Sequence, residues 1–247
     1  MSVVRTFADL DALTRVAADE IVALVAAAIA ARGRCHLALS GGSTPRRLFQ
    51  HLAARPGDLP WNKVELWWGD ERCVPPDHAD SNYGAARALL IEPLRRFGLD
   101  DERVHRIHGE LDPGASARAY EDELVAVLGS PPVLDIALQG MGPDGHTASL
   151  FPDSPALDET RHWVVANPVK SPLVPAGAAM RITLTARAIN HARRVRFLAA
   201  GADKAEALAA VLEGPGEPRR YPAQLIEAPD VVWLVDAAAA ARLGGRR

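Results

Sequence analysis

The chain has 247 residues, of which 28 are basic and 31 acidic, a net charge of -3, and 48% hydrophobic residues. That length buries a substantial core and fits one large α/β domain or two small ones, while a charge near balance with no run of like sign excludes the basic footprint of a nucleic-acid binder. The apolar run Ile21 to Ala31 is too short to span a bilayer, and the first residues lack the charged segment that opens a signal peptide, so neither anchor nor leader is expected.

Among the basic residues only Lys63, Lys170 and Lys204 are lysines. The two cysteines, Cys35 and Cys73, lie far apart without metal-like spacing and are read as reduced thiols of a cytoplasmic protein.

From about Asp9 to Arg32, the residues Leu10, Leu13, Val16, Ala17, Leu24, Val25, Ala28 and Ile29 recur at helical spacing, and Gly33 sits where a helix stops. His36 to Ser40 then predicts a short buried strand running into Gly41, Gly42, Ser43, Thr44 and Pro45. Glycines at a strand end free the backbone to wrap an anion. Ser43 and Thr44 offer capping oxygens, Pro45 fits the first turn of a following helix, and that helix directs unpaired N–H groups at the same spot. In physical terms this is a phosphate cradle, although an ordinary well-capped turn would read the same way. It has neither the lysine of a Walker loop nor the glycine spacing of a dinucleotide fingerprint, so ATP and NAD are not indicated.

Val64 to Trp68 predicts a second strand, with Trp67 and Trp68 placing one ring on each side of the sheet, and it delivers Gly69, Asp70, Glu71 and Arg72 at its end before the Pro75-Pro76 break. Three charges at a strand terminus can supply an acid, a base and an anion clamp, or can form a solvated turn. Ser81 or Asn82 then caps a helix to about Leu90, Val104 to Ile107 is expected as a strand, and Ala115 to Leu128 as an amphipathic helix.

The chain is organised around the next stretch, where the strand Asp135 to Leu138 ends in Gly140, Gly142, Pro143 and Gly145 and a helix is expected to open near Thr147. Asp144 and His146 then project from the carboxyl end of a strand, which is where open α/β sheets bind ligands. Gly145 lets the backbone bend until the carboxylate and the imidazole address one space, and an unperturbed histidine exchanges protons near neutrality. A loop histidine bonded to backbone is the plainer alternative. His78, in the loop after Arg72, is the other histidine with a route to this region; the rest are scattered without spacing.

Trp163 to Ala166 and Met180 to Leu184 predict strands joined through Pro168, Pro172 and Pro175, and 168–180 is expected to be a mobile flap. Val195 to Ala199 predicts a strand leading to a helix capped by Asp203, with Lys204 in its first turn. A cation there opposes the helix dipole, a small cost that makes sense beside a bound anion. YPAQLI and VVWLVD precede a short terminal helix. Alternating strands and helices imply a three-layer α/β fold, a mainly parallel sheet with helices on both faces, in one domain spanning 1–247.

Taken together, LALSGGSTP, WWGDERCVPPDHADSNYG, LQGMGPDGHTASLFP, RITLT and AGADKAEAL, in this order and at these gaps, resemble the glucosamine-6-phosphate isomerase/6-phosphogluconolactonase family on its lactonase side, over about residues 35–226. The resemblance implies the Rossmann-like fold of glucosamine-6-phosphate deaminase and ribose-5-phosphate isomerase. It also implies hydrolysis of 6-phospho-D-glucono-1,5-lactone in the oxidative pentose phosphate pathway, without cofactor or metal. By the same resemblance His146 is the catalytic histidine and Asp144 its aspartate. Ser40, Gly41, Gly42, Ser43, Thr44, Asp70, Arg72 and Lys204 hold the substrate, with Arg72 and Lys204 on its phosphate. The expected partner is a sugar-phosphate lactone, with no nucleic acid or membrane, and the expected state is a monomer, with a weak homodimer as the alternative.

A related deaminase would need a carboxylate to shuttle a proton between carbons, and such enzymes carry a glutamate soon after the Asp-Gly-His loop. Here that place reads TASLFP, with no acid before Asp153. A sugar-phosphate sensor would need a DNA-binding segment for which the chain has no room, and a divalent metal on Asp70, Glu71 and His146 would use residues that already have roles. Asp144 either holds the imidazole tautomer or contacts sugar hydroxyls.

Overall fold

The computed structural model of the protein describes residues 3–170 and 179–244. Six strands form one wholly parallel sheet in the order β1 (Val3–Phe7), β9 (Val231–Asp236), β8 (Val195–Ala199), β5 (Ile136–Gly140), β2 (Cys35–Leu39) and β3 (Val64–Trp68). Helices flank it, giving the expected three-layer Rossmann-like α/β fold. Helix α1 (Leu10–Arg32) starts on Asp9, whose side chain accepts from Ala12 N at 2.8 Å, and closes at Gly33; it packs against α2 (Ser43–Ala53) and β2.

A second sheet of three antiparallel strands, β4 (Asp70–Arg72), β7 (Met180–Leu184) and β6 (Val164–Pro168), was not expected. The GDER segment, read as a strand-end loop, is its edge. No alternation marks Asp70, Glu71 and Arg72 as a strand, because the pairing comes from distant β7, with Arg72 opposite Arg181 and Asp70 opposite Thr183. Gly69 is the crossing point. Its N–H donates to Leu39 O in the large sheet at 2.9 Å and its carbonyl accepts from Leu184 N in the small sheet at 2.8 Å.

Several other expectations differ. Val104 to Ile107 forms only a single bridge, Leu66 to Val104. Beyond it, the edge of β3 is taken by Tyr120 of α5 (Pro113–Leu128), whose hydroxyl accepts from Trp68 N at 2.8 Å and donates to Trp68 O at 3.0 Å. That contact closes an exposed sheet edge. After Ser81, α3 (Asn82–Ala86) continues through a wider turn at Arg87–Ile91 into the short α4 (Glu92–Leu94). No helix opens at Thr147, because its hydroxyl bonds Gly140 O at 2.8 Å and Gln139 Oε1 at 2.9 Å, and Ala148 adopts a φ of 48. Helix α6 (Ala186–Asn190) follows β7, and α7 (Ala205–Glu213) begins after a tight turn at Ala202–Lys204. Asp203 therefore does not cap it; the carboxylate pairs with Lys204 Nζ at 2.9 Å instead. Most of the expected flap falls at 171–178, outside the described residues.

The core is continuous from Leu13 and Ile21 of α1 through both sheets to Trp233, which stacks on Phe197 at 3.7 Å. Trp67 and Trp68 are buried on opposite sides of β3, Trp67 stacked on His105 at 3.9 Å and Trp68 edge-on to Tyr83 at 5.6 Å. No helix among the described residues is long and apolar enough to cross a membrane.

Candidate active site

Strand succession reverses between β2 and β5: the chain proceeds from β2 to β3 on one side and from β5 to β8 and β9 on the other. The crevice outside the carboxyl ends at such a reversal is the ligand position of an open α/β sheet. A cleft of about 290 Å³ lies there. Ser40, Gly41 and Gly42 enter it from the end of β2, Asp70 and Arg72 from β4, His146 from the loop after β5, and Lys204 from the turn after β8. Of the expected residues, Ser43 and Thr44 stand behind the glycines in the first turn of α2, and Asp144 stands behind His146; none of these three lines the cleft.

The imidazole is fixed from several directions. His146 Nδ1 lies 2.5 Å from Asp144 Oδ1, and the same oxygen accepts from His146 N at 3.2 Å. Phe151 stacks on the ring at 4.0 Å, tilted by 21°. On the remaining side the backbone of Gly142 comes so close that a Cβ there would stand 2.1 Å from the ring and 2.6 Å from Asp144 Oδ1. Burial alone would raise the Asp144 carboxyl, but the hydrogen bond and charge of His146 outweigh it and hold the group below its ordinary value. A carboxylate on Nδ1 selects the tautomer in which Nδ1 carries the proton, leaving the lone pair on Nε2.

The cationic side is built differently. Helix α2 has glycine at its N-cap and no side-chain oxygen bonded to its first-turn N–H groups, which leaves them available to an anion. Arg72 donates to Asp80 O at 3.2 Å and to Asn82 Oδ1, and among the described residues it makes no ion pair with a carboxylate. Lys204 keeps its pairing with Asp203, whose side chain is 61% exposed, so water weakens the competition. Arg181, paired opposite Arg72 between β4 and β7, is buried and does not line the cleft; burial and the neighbouring Arg72 charge lower its proton affinity.

Asp70 and Glu71 diverge because strand neighbours face opposite ways. Asp70 lines the cleft, where its carboxylate accepts from Ser149 Oγ at 2.6 Å and Asn82 Nδ2 at 3.2 Å. Glu71 is buried on the other face and accepts from Ser81 Oγ and from the N–H groups of Asn82 and Tyr83, so it anchors α3 rather than serving chemistry. Burial pushes its carboxyl up, against the pull of those N–H groups. No three His, Cys, Asp or Glu side chains among the described residues converge as a metal-binding group would require. His78 is exposed outside the cleft, beside Asp80.

No local pattern in the chain marks Asn82, a candidate helix cap, or the supports of the histidine loop as part of the site. Ser149 is held by Asp70 Oδ2, by Thr183 Oγ1 at 3.1 Å from its N–H, and by Asn167 Nδ2 at 2.8 Å on its carbonyl. All three come from the second sheet, at separations of 79, 34 and 18 residues from Ser149, so the signal lay in tertiary pairing rather than in any local pattern. A larger hollow of about 460 Å³ beside α7 is lined mostly by apolar residues such as Val211, Leu225 and Trp233, without a cation or histidine. Chemistry, rather than size, selects the smaller cleft.

The family model described as glucosamine-6-phosphate isomerases/6-phosphogluconolactonase matches residues 8–233. The chain is 40% identical to the 6-phosphogluconolactonase of a Nostoc species over 97% of its own length and 98% of that protein. It is likewise 40% identical to the 6-phosphogluconolactonase of Mycobacterium tuberculosis, over 98% of each. Among solved structures, 6-phosphogluconolactonase from Trypanosoma cruzi superimposes with a TM-score of 0.85 at 30% identity, covering 99% of this chain and 97% of that one.

Proposed function

The chain belongs to the glucosamine-6-phosphate isomerase/6-phosphogluconolactonase family, and on that premise we propose that it hydrolyses 6-phospho-D-glucono-1,5-lactone to 6-phosphogluconate, a step of the pentose phosphate pathway, with His146 as general base. The observation that carries the reading is the hydrogen bond of Asp144 to His146 Nδ1, inside a rim whose other side presents Arg72 and Lys204.

The substrate phosphate sits among Arg72, Lys204 and the first-turn N–H groups of α2, which places the lactone carbonyl toward His146. Nε2 takes a proton from water as its oxygen attacks the carbonyl carbon. The tetrahedral intermediate collapses with cleavage of the ring C–O bond, and the imidazolium returns the proton to the departing alkoxide. Asp144, held ionised, stabilises the imidazolium between these transfers; its position outside the cleft lining favours orientation over sugar contact. A lactone is an activated ester, so one positioned base suffices without a covalent nucleophile. Two free thiols support a cytoplasmic setting.

Turnover of freshly generated 6-phosphogluconolactone by wild type and by His146→Ala tests this. The variant is expected to lose about 10²- to 10⁴-fold in kcat. Equal rates would remove the base, and wild-type deamination of glucosamine-6-phosphate in place of lactone hydrolysis would overturn the reaction.

A further inference from the structure

We propose that Asn82 is a positioning residue that keeps the Arg72 guanidinium separate from the Asp70 carboxylate, so that the arginine's charge remains available to the substrate phosphate. The inference rests on the reading of Arg72 as a phosphate ligand and assigns the residue that makes it one. Asn82 is 3% exposed and lines the cleft. Its Oδ1 accepts from Arg72 Nη1, while its Nδ2 donates to Asp70 O at 2.9 Å and Asp70 Oδ1 at 3.2 Å. The donor and acceptor needs of the two neighbours fix which way the amide points.

The arrangement is chemically pointed. Asp70 and Arg72 project from the same face of β4, and an aspartate and an arginine so placed would ordinarily pair. Here a neutral amide stands between them, satisfying the carboxylate with N–H and the guanidinium with C=O. The two oxygens that hold Arg72, Asn82 Oδ1 and Asp80 O, are both uncharged, so the guanidinium is oriented without being neutralised. The amide cannot drift out of this place. The backbone N–H of Asn82 donates to Glu71 Oε1 at 2.8 Å and so fixes the root of the side chain, and the bare Cα of Gly41 leaves the amide just enough room, since a Cβ there would fall 1.8 Å from Oδ1. Gly41 thus serves the phosphate side by leaving space for Asn82. Without the amide, Arg72 can fold onto Asp70, and binding phosphate must first break that pair.

The test is a KM and kcat cycle on 6-phosphogluconolactone with Asn82→Ala, Arg72→Ala and the double variant, and with Asn82→Ser as a second replacement that keeps a small polar group too short to bridge. Thermal melting shows which proteins are folded. Loss of one charge-assisted contact is expected to raise KM about ten- to hundredfold in N82A and N82S with kcat little changed. In the R72A background, N82A is expected to add no more than about twofold, because it acts through the arginine. Independent, multiplying effects in the cycle, or a kcat loss at constant KM, would overturn the proposal. If R72A raises KM while N82A and N82S leave it unchanged, this inference fails alone; if R72A itself leaves KM unchanged, the phosphate reading of Arg72 fails with it.

Discussion

Asp144 Oδ1 accepts from both the ring Nδ1 and the backbone N–H of His146, so one carboxylate oxygen sets the tautomer of the base and the bend of the loop that carries it. The two roles separate on substitution. Asp144→Asn can offer an N–H to Nδ1, which moves the ring proton to Nε2 and removes the lone pair that takes the water proton. Its kcat is expected to fall by up to the full worth of the base, about 10²- to 10⁴-fold, and further than that of Asp144→Ala. A higher kcat for the asparagine variant than for the alanine variant would contradict the tautomer role, and an effect on KM alone would instead put Asp144 on the sugar.

The same carboxylate makes stability depend on pH. Its native value lies below the ordinary 3.8, so the unfolded chain binds its proton first as acid is added. The stabilising contribution is therefore complete above the unfolded value and is lost as pH falls through the depressed native one. Urea melts of wild type and Asp144→Asn should differ most at neutral pH and converge below about pH 4. A gap that widens in acid would have the opposite sign.

On the phosphate side, Arg72→Ala and Lys204→Ala are each expected to raise KM about ten- to hundredfold, the worth of a hydrogen bond to a charged group. Turnover of an unphosphorylated gluconolactone should be nearly unaffected by either. Asp203→Ala runs the other way. Its exposed pair with Lys204 is worth about 0–1 kcal/mol, so its removal should lower KM by at most about fivefold. A rise in KM would mean that Asp203 presents the lysine rather than competing for it.

Gly142→Ala should uncouple binding from chemistry. The added methyl meets the imidazole and Asp144 together, and a displacement of about 1 Å costs on the order of 10²-fold in rate. Product affinity, read by inhibition with 6-phosphogluconate, should stay near wild type because the cations lie elsewhere on the rim.

Tyr120→Phe probes the sheet edge without touching the cleft. It strips partners from both backbone groups of buried Trp68, a cost of about 1–3 kcal/mol. A melting temperature lower by roughly 2–12 °C with unchanged kcat is the expected outcome; loss of activity at full stability would relocate the residue to the site.

Much of this arrangement was legible in the chain. Strands at Val64–Trp68, Met180–Leu184 and Val195–Ala199 have the bounds that their apolar runs suggest, and Asp9 and Gly33 mark α1 as cap chemistry requires. Glycine-dense strand ends located the cleft because backbone freedom is written in composition. The second sheet left no such mark, since β4 is three charged residues whose strand character is conferred by β7, far along the chain. Edge strand β1 is exposed along nearly its whole length, so it has no buried face to reveal by alternation. Asn82 and Ser149 escaped for the same reason: polar residues acquire meaning only from what faces them, and their partners are set by tertiary pairing.

Gly69 hands the chain from one sheet to the other, so the base and much of its scaffolding rest on separate platforms. The bonds that tie the histidine loop to the second sheet at Ser149 are polar, and polar links yield to denaturant piecemeal while the hydrophobic core shared by both sheets resists. Inactivation by urea should accordingly precede the global transition, with early amide exchange at Ser149 and along β4, as local opening of a low-stability unit requires. The catalytic rim is in this sense a seam that opens locally while the core shared by the two sheets stays packed, and its sharpness depends on keeping that seam shut.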